Sequence, residues 1–222
     1  MPKRIDMSKQ DEVFDKIFST LKEKGSMKQD VYRKSGIAFA EMKNGVHKLV
    51  SKLKSSMNKI DKSVVVEFDD RGEFEFRIKL GGDLLIFMRH TNIFDFDKSH
   101  SMWKTSYIKE DPLRSYCGMI NIYNFLADSF KYHRVNDLGY LIARAFINKD
   151  SHYFVEGKRQ LGFLYNDFSN AVLQPGDMLK IAESAILYSL DFDLLTPPYQ
   201  DMSQVSVHEI FEVAQARSEE RR

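Results

Sequence analysis

A chain of 222 residues that is 43% hydrophobic and 13% aromatic can bury a large core, and its length fits one large domain or a domain with a helical extension. No window approaches the ~18 consecutive apolar residues of a membrane span, and MPKRIDMSKQDE has no apolar run behind its charged start; this argues against membrane insertion or export and makes the cytoplasm the expected location. The net charge of +1 conceals an asymmetry: residues 1–63 hold 15 Lys and Arg against 8 Asp and Glu, and residues 64–222 hold 18 against 24. A basic arm attached to an acidic body is the expectation.

In chain order, Val13, Phe14, Ile17, Phe18 and Leu21 recur at the i, i+3, i+4 spacing of one helical face. Gly25 is placed to end that helix, and Ser26-Met-Lys-Gln29 has the form of a capping box that would open a second. Gly36 and the Asn44-Gly45 pair interrupt this second helix. Met42, Val46, Leu49, Val50, Leu53 and Met57 then repeat helically, predicting a third helix or a kinked continuation to about Met57. Lys43, Lys48, Lys52 and Lys59 lie on its other faces and are candidate contacts for a phosphate backbone or another partner. The two apolar stripes would pack on each other or on a partner, although neither sustains the three or four heptads of a coiled coil.

At Lys62 the period changes to two. Val64, Val66 and Phe68 alternate with Val65, Glu67 and Asp69, Asp70-Arg71-Gly72 forms a turn, and Phe74, Phe76, Ile78 and Leu80 occupy one face of a second strand. Gly81-Gly82 precedes a further apolar run, Leu84 to Met88. His90, Asp95, Asp97 and His100 bring metal-ligand residue types into eleven positions, a set suited to Zn, Fe or Mn. Ile93, Phe94 and Phe96 read equally as a short strand with a polar loop after it. Trp103, Tyr107 and Ile108 predict another strand, ended by Asp111-Pro112. Tyr116 to Phe125 is a near-continuous apolar run expected at the centre of a sheet, with the lone Cys117 inside it as a small buried side chain. That single cysteine rules out an intramolecular disulfide.

Asp137, with Glu156 and Lys158 one residue apart, resembles the PD-(D/E)xK nuclease signature without its proline. The resemblance implies Mg²⁺ held by Asp137 and Glu156, a water activated by the metal, and Lys158 stabilising developing charge. Such a site needs Asp137 opposite Glu156, which places the turn between Phe146 and Ile147. The residues that favour a turn are Asn148-Lys149-Asp150-Ser151, and a turn there sets Glu156 across from Arg144 and Phe154 across from Phe146.

Leu161, Leu164, Tyr165, Phe168 and Val172 predict a helix, broken at Gln174-Pro-Gly-Asp177. A second helix, Met178 to Leu190, is apolar nearly all round and is expected to be the most buried. Ser206-Val-His-Glu209 is a capping box opening a terminal helix with the charged end ARSEERR.

The expected fold is α+β: a basic helical arm over 1–61, then a body over 62–222 whose mostly antiparallel sheet, about 62–158, is covered by helices over about 159–222. A pleckstrin-like barrel with a capping helix is an alternative arrangement of these elements. The favoured function is a cytoplasmic, non-enzymatic binding or adaptor protein without a cofactor, engaging a protein or a nucleic acid through the N-terminal helices. The alternatives are a Mg²⁺-dependent nuclease using Asp137, Glu156 and Lys158, and a structural homo-oligomer paired through the N-terminal stripes.

Overall fold

The structure, a computed structural model, describes residues 7–193, 195–196 and 198–212. The stripes that glycines separate in the sequence belong to one continuous helix. Helix α1 (Met7–Thr20) passes through one π turn, Leu21–Gly25, into α2 (Ser26–Met57). Gly25 keeps helical dihedrals, φ −65° and ψ −48°, and the Ser26 amide stays in the ladder by donating to the Leu21 and Glu23 carbonyls. The expected break and capping box at 25–29 are therefore absent. Gly36 and Gly45 also lie within α2, where they allow close approach. A Cβ at Gly36 would stand 3.1 Å from the Arg89 guanidinium, and one at Gly45 would stand 3.2 Å from Leu179. Each glycine costs roughly 1 kcal/mol of helix propensity, which packing offsets.

Beyond the helix come six antiparallel strands in sequential order: β1 (Val66–Asp70), β2 (Glu75–Leu80), β3 (Asp83–Arg89), β4 (Cys117–Leu126), β5 (Tyr140–Asn148) and β6 (Tyr153–Gly157). The first hairpin has the expected alternation, with Val66 facing Leu80 and Asp70 facing Phe76. Strands β1 and β6 end the order, so the sheet is open, unlike the barrel alternative. One face carries Phe76, Ile78, Leu85, Phe87, Ile120 and Ile122, all fully buried against Phe39, Met42 and Val46 of α2. Helix α6 (Asp177–Leu190) joins that layer through Met178, Ile181, Ala182 and Ala185. Burying each large side chain contributes roughly 1.5–3 kcal/mol, so α2 is part of the core. Helix α6 is not apolar-buried all round: Leu187 and Leu190 face solvent.

The other face is covered in part by the segment between β3 and β4. The strand expected around Trp103 and Tyr107 is instead a 3₁₀ turn, Ser101–Lys104, and then α3 (Ser106–Glu110). His100 Nδ1 accepts from the Met102 amide, Thr105 Oγ1 from the Ile108 amide and Asp111 Oδ1 from the Leu113 amide. Three successive side-chain caps favour turns over an extended chain. Trp103 and Tyr107 thus pack with Phe96, Phe146 and Phe154. A single turn, α4 (Ala127–Lys131), closes over Leu84 and Phe125.

The helix expected over 161–172 stops after α5 (Leu161–Leu164). The chain then runs beside β6: Val155 N–H donates to Tyr165 O at 2.8 Å, Tyr153 N–H to Ala171 O at 3.0 Å, and Leu173 N–H to Ser151 O at 2.9 Å. Satisfying the free amides of an edge strand outweighs the local helical period. The capping box at 206–209 forms in both directions, Ser206 N–H to Glu209 Oε2 at 2.6 Å and Glu209 N–H to Ser206 Oγ at 3.1 Å. The ARSEERR end lies outside the described residues.

Candidate functional site

The turn between β5 and β6 sits at 148–152, and the register it imposes pairs Arg144 with Glu156 and Phe146 with Phe154. Glu156 Oε2 accepts from Arg144 Nε at 2.5 Å, and its Oε1 lies 3.5 Å from His100 Nε2. Asp137 precedes β5 and turns elsewhere. Its Oδ2 accepts from Ser129 Oγ at 2.6 Å and pairs with Arg134 Nε at 2.9 Å, beside a cleft of about 600 Å³ lined also by Asp83, Asn124, Tyr140 and Phe192. Seven residues separate Asp137 from Arg144, the position opposite Glu156. At roughly 3.3 Å per residue, that sets Asp137 about 20 Å from Glu156 along the strand. Lys158 lies just past β6, where its amide donates to Ile142 O at 2.9 Å. The three residues of the nuclease-like spacing are not brought together, and one ion cannot join Asp137 to Glu156.

His90, Asp95, Asp97 and His100 each serve local backbone. His90 Nδ1 accepts from the Asn92 amide at 3.0 Å, Asp95 Oδ1 from the Phe96 amide at 2.9 Å and also from Ser115 Oγ at 2.6 Å, and Asp97 Oδ1 from the Ser99 amide at 2.8 Å. Hydrogen bonds from the Ser99 side chain, then its amide, hold the Asp97 carboxyl below its ordinary value. Among the described residues no group of three or more His, Cys, Asp or Glu side chains is placed to hold a metal ion. The expected metal cluster at 90–100 is thus dispersed into loop caps.

Of the lysines on α2, Lys43 is occupied: its Nζ donates to Asp70 Oδ1 at 2.8 Å and to Gly72 O at 2.7 Å, which fastens the helix to the β1–β2 turn. Lys48 and Lys52 on α2, and Lys59 in the turn just past its end, are exposed. They form a solvated row with no aromatic side chain among them.

The N-terminal stripe has a different character. Every residue from Gln10 to Lys24 is exposed, and Val13, Phe14, Ile17, Phe18 and Leu21 retain 55–65% of their accessible surface. The Phe14 and Phe18 rings stack with centroids 6.2 Å apart. An isolated helix of this length would be marginal in water, but α2 nucleates it, so α1 extends as a rigid continuation. Residues 7–25 span roughly 28 Å at 1.5 Å per residue. At the root, the Lys24 and Lys28 ammonium groups stand 4.9 and 5.3 Å from the Tyr116 ring centroid. The sequence shows the stripe itself; that the body leaves it uncovered depends on the unbroken helix, which directs it away from the sheet.

No protein-family model matches the chain, and comparison with curated proteins and with solved structures gives no match. Among the described residues no helix is long and apolar enough to cross a membrane.

Proposed function

We propose that this chain is a cytoplasmic, non-enzymatic adaptor that engages a protein partner through α1. The observation that carries the reading is the stripe Val13, Phe14, Ile17, Phe18 and Leu21, exposed along one side of a projecting helix. Covering the exposed part of these side chains is worth on the order of 5 kcal/mol per helix, enough to offset part of the association cost of about 4–15 kcal/mol. Contiguous apolar surface of this kind marks interaction sites, and an amphipathic helix is a recurrent recognition element. Charge supports a protein over a nucleic acid here. Residues 7–25 carry four lysines against four acidic residues, and the apolar stripe has no phosphate to neutralise.

The test is photo-crosslinking in cells from position 17, within the stripe, set against position 12 on the opposite side of the helix. A discrete protein adduct from position 17 alone is expected. Equal labelling from both positions, or nucleic-acid adducts from position 17, would overturn the reading.

A further inference from the structure

We infer that α1 docks antiparallel on α1 of a second copy of this chain, with Asp11 of each helix beside Lys22 of the other. The inference rests on the reading of α1 as a docking helix and names its occupant.

Three observations carry it. Firstly, Asp11 and Lys22 are eleven residues apart, which at 100° per residue returns them to nearly the same flank of the helix, bordering the Phe18 side of the stripe. In an antiparallel pair related by a two-fold axis, each flank meets its own copy, so these residues become neighbours twice over. Secondly, the midpoint between Asp11 and Lys22 falls between Lys16 and Ile17, and the five apolar residues are centred within one residue of that point. The charge pairing and the apolar overlap therefore select one register. In it, Ile17 meets Ile17, and Phe14 enters the level between Phe18 and Leu21 of the second copy. Thirdly, Asp11 and Lys22 are both exposed and make no ion pair within their own chain among the described residues.

The opposite flank carries Val13 and Thr20 at matching levels; Lys9 and Lys24 also fall at matching levels there, where the Tyr116 ring, 4.9 Å from the Lys24 ammonium, draws that charge toward its own body. A parallel pair is disfavoured on two counts. It sets Asp11 level with Asp11 and Lys22 level with Lys22, and it brings the two bodies to the same end. Because the stripe covers little more than one heptad, the pair is expected to be weak and reversible, in the range of tens to hundreds of micromolar.

Sedimentation velocity on the full chain, from low to several hundred micromolar, tests this with four proteins. Wild type is expected to pass reversibly from monomer to dimer, and Ile17→Glu to remain monomeric. Asp11→Lys is expected to weaken the dimer about tenfold, since two pairs change from attraction to repulsion. Adding Lys22→Asp to Asp11→Lys is expected to restore it to within about threefold of wild type, with the sensitivity to salt of an exposed pair. A wild-type monomer at every concentration would overturn the self-pairing, as would a dimer indifferent to Ile17→Glu or a double variant no tighter than the single one. A wild-type monomer that still yields a position-17 adduct to another protein overturns the second copy as occupant and leaves the docking helix standing. An Ile17→Glu-insensitive dimer without that adduct removes both.

Discussion

Arg144 on β5 and Glu156 on β6 face each other across the sheet, Nε to Oε2 at 2.5 Å, in a register set by a turn at 148–152. The pair accounts for a carboxylate that spacing alone would assign to a metal. Both side chains are about a third exposed or more, so the coupling is modest. A double-mutant cycle with Arg144→Ala and Glu156→Ala is expected to give a coupling of about 0.3–1 kcal/mol in urea unfolding. Coupling indistinguishable from zero would mean the contact is incidental.

Gly118 on β4 lies under α2, and a Cβ there would stand 2.5 Å from the Ser35 Cβ. Both atoms are fixed to backbone, so Gly118→Ala is expected to cost about 1–3 kcal/mol by forcing helix and sheet apart. Ser35→Gly in the same chain should recover part of that loss. Gly25→Ala is the contrast: the nearest atom is Leu21 Cδ2 at 4.0 Å, so unfolding of the body should stay within about 0.5 kcal/mol while helicity rises.

Arg89 fastens β3 to α2. Its guanidinium lies between the Tyr32 and Phe74 rings, 4.5 and 4.7 Å from their centroids. Nη1 donates to Tyr32 O at 3.1 Å and Nη2 to Glu73 Oε1 at 2.6 Å. A lysine has no planar group to stack and cannot fork to both acceptors. Arg89→Lys is expected to lose about 2 kcal/mol in denaturant unfolding, most of it retained in Glu73→Gln, because Glu73 itself is largely exposed.

Much of the architecture is legible in the sequence because its signals are local. The β1–β2 alternation, the Asn148–Ser151 turn and the Ser206–Glu209 box each act within a few residues, and each has the form its residues imply. The failures have non-local causes. Gly25, Gly36 and Gly45 look like helix breaks, but two of them serve contacts with Arg89 and Leu179 that lie far along the chain. Tyr165 to Val172 has a helical period, yet the chain there turns at 167–171 and is held to the free edge of β6 by hydrogen bonds from the Val155 and Tyr153 amides. The candidate metal residues are visible by type, but type does not show whether a carboxylate is already engaged by a neighbouring amide, as Asp95 and Asp97 are. The α1 stripe is visible as well, and only its freedom from the body depends on the fold.

Acid is expected to weaken the link between the segment that follows α3 and the β5–β6 turn. Lys149 Nζ lies 2.8 Å from Asp111 Oδ2, and Arg114 Nε lies 3.1 Å from Asp150 Oδ2. Partial burial pushes both carboxyls up, but the Lys149 ammonium and nearby Arg114 guanidinium outweigh it, and both sit below their ordinary value of 3.8. A folded value below the unfolded one gives stability that is present above the unfolded value and lost as pH falls through the folded one. Urea midpoints should therefore hold from about pH 6 to about pH 4 and then decline, less steeply in Asp150→Asn. An equal decline in that variant would assign the acid sensitivity to other groups.

Hydrogen exchange across α1, measured as a function of protein concentration, reads directly whether the stripe is free and what covers it. If the stripe is a docking face that pairs with itself, amides of residues 10–24 exchange quickly in dilute protein and gain about tenfold protection as the dimer forms. The β4 and α6 amides should stay unchanged, and Ile17→Glu should show no gain at any concentration. Protection of residues 10–24 that is already high in dilute protein and indifferent to concentration would place the stripe against its own body and contradict its role as a docking face.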